Sequence, residues 1–127
     1  MKSFILASIL LLSVALFITV NAVKTVRRID EMMSIADTLP KSEEEFSTTK
    51  NIENNVLALI ALWDREFPAI AFTAGYDNTN RCDEAIGALA VHFQNNNGAD
   101  FAVALSEFCD GLYRLRILEG FHWEGIF

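Results

Sequence analysis

The sequence predicts an all-α protein, an N-terminal transmembrane helix that extends into a small bundle of about three to four helices. Three observations lead there. Residues 4–23 carry no charged side chain. Beyond them, apolar residues recur at spacings of three and four, and no segment sustains the alternation of a strand. The periodic stretches break at Pro40, Pro68, Gly75 and Asn95-Asn96-Asn97-Gly98, residues that stop or turn helices.

Length and charge set the frame. With 127 residues the chain holds at most one modest core once the first segment is set aside. Hydrophobic residues reach 52% and mean hydropathy is +0.27, values opposed to disorder. The net charge is −7, and all 17 acidic residues lie from Asp30 onward. An acidic body repels phosphate backbones, so no nucleic-acid partner is expected.

The first element opens the chain as MKSFILASILLLSVALFITVNAVKTVRR. As a helix, the uncharged run from Phe4 to Val23 spans about 30 Å, the hydrocarbon thickness of a bilayer. Leu, Ile, Phe and Val, among them Phe4, Leu10, Leu12, Phe17 and Val20, fill 13 of its positions. At roughly −0.3 to −0.6 kcal/mol each near the centre, they outweigh Ser8, Ser13, Thr19 and Asn21. The competing reading is a signal peptide cleaved near Ala22, which would leave a secreted protein. Two features favour the anchor. The run exceeds the usual signal core, and the helical pattern continues through Val26, Ile29, Met33 and Ala36, with Met32, Ile35 and Leu39 beside them, until Pro40. Residues 1–23 are therefore read as the anchor and 24–127 as the helical body. Lys24, Arg27 and Arg28 against Lys2 tilt the positive-inside count slightly toward a cytoplasmic body, while the short tail before the apolar run has the form of a signal-anchor. The reading adopted is a single-pass protein of the cell membrane with an extracytoplasmic body.

A second helix starts near Ser42, where Glu45 completes a capping box and Glu43 and Glu44 favour the positive end of the helix dipole. Its apolar face runs Ile52, Val56, Leu59, Trp63 and Phe67, and VLALIALW is apolar almost all round, which predicts the most buried helix. Pro68 is expected to kink or restart it. A third helix, capped by Thr79 or Asn80, carries Cys82, Ile86, Leu89 and Phe93 and stops at the Asn run. A fourth starts around Asp100, carries Phe101, Leu105, Phe108, Leu112 and Leu115, and ends at Gly120.

This layout of MKSFILASILLL at the anchor, an acidic helix leading to Trp63, a helix pair with a leucine near positions 86 to 89, and the ending LEGFHWEGIF resembles a bacterial family known as domain of unknown function 4363. Members typically close on a hydrophobic residue and Asn-Ile-Phe, where this chain has Gly125-Ile126-Phe127. Its helices are also less charged and richer in Ala and Phe, and Tyr76 stands near an expected histidine. The resemblance implies a single-pass membrane protein with a helical outer domain and brings no activity with it.

Chemistry-bearing patterns are sparse. His92 and His122 have no ligand-spaced companion. No catalytic serine elbow, zinc-helix motif or phosphate loop occurs, so neither enzyme activity nor a cofactor or metal is expected. The carboxylate pairs Asp64/Glu66, Asp83/Glu84 and Glu107/Asp110 read as solvated helix faces. In a hairpin turning near residue 97, Cys82 and Cys109 stand about 6 Å out of level. A disulfide is one reading and two small buried thiols the other, favoured because Cys82 lies on the apolar stripe. Trp63, Phe67, Phe72, Tyr76, Trp123 and Phe127 are the candidates for an aromatic groove that receives a partner or apolar ligand, and the reading preferred to it is a tail folded back as a plug over the open end of the bundle. The expected role is a membrane-anchored accessory module whose partners are the lipid bilayer and another membrane protein or a second copy. The alternative is a sensor module holding a small apolar ligand.

Overall fold

The computed structural model describes the backbone of residues 1–126 and their side chains except those of Ala22, Thr73 and 118–126. It is all-helical, with five helices among the described residues: α1 Lys2–Asp37, α2 Glu43–Thr48, α3 Ile52–Ala74, α4 Tyr76–Gln94 and α5 Gly98–Ile126. The second half of α1 packs between α3 and α5, and α4 closes the ring against both. The result is an antiparallel four-helix arrangement with α2 laid across one end.

α1 has two different surfaces. An 18-residue window within it has a mean hydropathy of 2.6 and none of it is buried in the fold, so α1 is long and apolar enough to cross a membrane. From Thr25 onward the same helix turns Ile29, Met32 and Ala36 into the core, and Leu39 follows them there just past its end. No break separates the two parts. α1 ends where Thr38 Oγ1 donates to the Ile35 carbonyl and Pro40 follows.

The helix expected from Ser42 to Phe67 is divided. Ser42 does cap α2, accepting from the Glu45 N–H at 3.2 Å, while the Glu45 carboxylate reaches back to the Lys41 N–H. α2 then stops after Thr48, because the hydroxyls of Ser47, Thr48 and Thr49 bond to the carbonyls of Glu44 and Glu45 and take the chain out of the helix. Asn51, at φ 63°, turns it into α3. Phe46 fastens α2 over the bundle, its ring 5.3 Å from Phe101 and 6.4 Å from Phe93.

α3 runs through Pro68 to Ala74 as one element, so Pro68 does not restart a separate helix. Pro68 costs about 3 kcal/mol in a helix interior, and burial of Trp63 and Ile70 on either side offsets it. Nor is α3 buried all round: Leu57, Ala58 and Ala61 face outward, and the core takes Val56, Leu59, Trp63 and Ile70.

α4 begins at Tyr76 rather than at Thr79 or Asn80, because Gly75 at φ 93° makes the corner itself. Thr79 is inside the helix, fully buried, with its hydroxyl bonded to the Gly75 and Tyr76 carbonyls. At the other end the Asn97 and Asn96 N–H groups bond to the carbonyls of His92 and Phe93 with Asn96 at φ 56°, the closing pattern of a Schellman turn. Asn97 then caps α5, its side chain exchanging bonds with Asp100. α5 starts at Gly98 and continues past Gly120 to Ile126, so the chain does not turn at Gly120 as expected. Whether Trp123 and Phe127 plug the bundle lies outside the described residues.

Candidate functional site

The part of the molecule where α1 leaves the bundle gathers ion pairs that tie α1 to α3 and to α5. Glu66, on the inner face of α3, is 4% exposed. It pairs with Arg28 of α1 and with Arg65 beside it, so a buried carboxylate is neutralised by two guanidinium groups reaching in from the surface. A second tie crosses from α5 to α1, where Arg116 Nε meets Asp30 at 2.8 Å. Together they lock the register of α1 against both neighbours.

Trp63 lies one turn before Glu66 and is fully buried. Its indole N–H donates to Asp83 of α4 at 2.9 Å, which satisfies the one polar atom the ring takes into the core. Its ring packs edge-on against Phe108 at 5.5 Å and tilted against Phe67 at 5.6 Å, and Phe67 in turn meets Tyr76 at 6.3 Å. Three of the aromatic candidates, Trp63, Phe67 and Tyr76, thus form a connected row from the core to the α3–α4 corner. Trp63 is inside, Phe67 half-buried, and Phe72 and Tyr76 are 81% and 65% exposed. The side chains of Trp123 and Phe127 lie outside the described residues. The contacts that sequence reasoning missed are those of Arg28 with Glu66 and of Trp63 with Asp83, whose partners stand far apart in the chain and carry no local signal; Arg65 and Glu66 are sequence neighbours.

Cys82 and Cys109 are both free thiols. Cys82 points at Gly111, where a Cβ would come within 2.5 Å of its Sγ, so the missing side chain of Gly111 is what admits the sulfur between α4 and α5. Burial, helped by the charges of Asp83 and Cys109, pushes the Cys82 thiol up to about 12, and burial also raises Cys109. Neither is a reactive thiolate at neutral pH.

Of the carboxylate pairs, Glu66 and Asp83 are held in the structural contacts above, and Glu84 accepts from Asn80 at 3.3 Å. Glu107 and Asp110 line an open groove of about 450 Å³ between α4 and α5 with Arg81, Glu84, Gly111 and Arg114. Its mixed charge suits solvent better than an apolar ligand. His92 is half-buried near the end of α4. Among the described residues no three His, Cys, Asp or Glu side chains converge as a metal site would require. No family model, curated protein or solved structure matches the chain.

Proposed function

We propose that the protein is a single-pass membrane protein whose helical body is an extracytoplasmic interaction module, docking on another membrane protein or on a second copy of itself. The free half of α1 carries this reading: an apolar surface with Leu10, Leu12, Phe17 and Val20 exposed has no cover in the fold, and a bilayer supplies one. Glu66, Asp83 and Asn97 support it, being taken up in ties between helices and in a helix cap, while the groove that Arg81, Glu84, Glu107, Asp110 and Arg114 share is open and of mixed charge. The outer face of α3, with Leu57, Ala58 and Ala61 exposed, is the surface offered to the partner.

Fractionation tests the anchor and topology. The full-length chain is expected in the membrane pellet, with the body cut by protease added outside intact protoplasts. A soluble product beginning near Val23 would replace this reading with a secreted protein. For the docking face, cross-linking in isolated membranes is expected to yield a defined adduct that Ala61→Arg abolishes while circular dichroism stays unchanged.

A further inference from the structure

The pairings between helices fix which end of the bundle faces the free half of α1. Arg28 meets Glu66, and α3 runs antiparallel to α1, so stepping from Glu66 to Phe72 matches stepping back from Arg28 to Ala22, about 9 Å along either axis. The α3–α4 corner therefore stands level with the last residues of the uncharged run, which ends at Val23. On α5, Ile117 shares a groove with Asp77 and Asn78, which brings it to the same end.

That end bears an exposed apolar cluster. Phe72, Tyr76 and Ile117 are 81%, 65% and 50% exposed, although most of the described large apolar side chains of the body are buried or half-buried. Among the described residues, Phe72 is the most exposed large apolar side chain after Met1. Charge is graded along the same axis. In the half toward the corner Lys24, Arg27, Arg28, Arg65 and Arg81 are balanced by Asp30, Glu31, Glu66, Asp77, Asp83 and Glu84, whereas at the opposite end Glu43, Glu44, Glu45, Glu53 and Asp100 outnumber Lys41 and Lys50.

We propose that the α3–α4 corner is a second membrane contact, with Phe72 and Tyr76 seated in the headgroup region of the bilayer that α1 crosses. This rests on the membrane-spanning reading of α1. An amphipathic tyrosine suits that layer, Phe72 adds apolar area below it, and Lys24 and Arg27 meet lipid phosphates at the same depth. Asp77 and Asn78 stay in the water at the rim. The occupant is lipid because the cluster continues, at the same height, the surface that α1 already presents to the bilayer.

The test uses full-length protein in vesicles of phosphatidylcholine and phosphatidylglycerol. An environment-sensitive fluorophore is attached in separate samples to Phe72→Cys, Ser47→Cys and Leu12→Cys, each with Cys109→Ala, since buried Cys82 resists labelling. Lipids bearing a nitroxide near the headgroup should quench the probe at position 72, lipids with a nitroxide near the chain end should quench position 12, and position 47 should respond to neither. Quenching at 12 with none at 72 overturns the proposal and leaves the span intact; this is also the outcome if a protein covers the corner. Stronger quenching at 72 by the deep lipid also overturns it. No quenching at 12 removes the span itself, and the proposal with it.

Discussion

Glu66 shows what a buried charge does in this protein. With Arg28 and Arg65 partly open to solvent, the pair is screened more than a fully enclosed one, so Glu66→Gln is expected to cost about 1–3 kcal/mol rather than the larger loss of a deep ion pair. Urea unfolding in detergent micelles measures it. Cys82 and Gly111 make a coupled pair. Gly111→Ala gains about 1 kcal/mol of helix propensity but forces the Cys82 sulfur aside at about 1–3 kcal/mol, for a net loss. In a Cys82→Ala background the same substitution should become neutral or stabilising, and a double-mutant cycle reads the coupling. The two thiols also set a pH limit. A thiol whose folded pKa lies above its unfolded value contributes stability below the unfolded pKa, and that contribution fades as pH rises toward the folded one. Stability is therefore expected to fall between about pH 8.5, the free thiol value, and the value of about 12 to which Cys82 is pushed. At pH 8 a thiol reagent should modify Cys109 before Cys82, the more buried of the two.

At the scale of elements, the corner between α3 and α4 depends on one residue. Gly75 sits at φ 93° and ψ 146°, a region nearly closed to residues with a Cβ, so Gly75→Ala should cost about 1–3 kcal/mol, visible as a lower thermal midpoint. The helices and most of their inner faces were legible in the sequence. Phe101, Leu105, Phe108, Leu112 and Leu115 repeat at helical spacing, and all five are buried. The boundaries were less legible because they depend on competition between short-range bonds. Ser47, Thr48 and Thr49 divide a stretch that its apolar pattern alone would join. Gly75 moves the start of α4 ahead of the Thr and Asn that resemble caps, and Thr79 spends its hydroxyl inside the helix. Leu57 was misjudged for a related reason: in a ring of four helices, α3 touches neighbours on one side only, however apolar its sequence.

For the whole molecule, periodicity shows which side of each helix is inward but not which helices are neighbours. The aromatic candidates illustrate the gap. The antiparallel packing draws Trp63 into the centre, bonded to Asp83 twenty positions away, and leaves Phe72 and Tyr76 at the corner. The Arg28–Glu66 and Arg116–Asp30 ties were equally silent, since a salt link across the fold leaves no mark on local sequence. Those ties join the body to a 36-residue helix that passes without interruption from its uncovered part to its packed part. A mast stepped in this way has no swivel: twisting or tipping the outer half must turn the remaining helices with it, and lengthening the joint by one residue would re-aim them by about 100°.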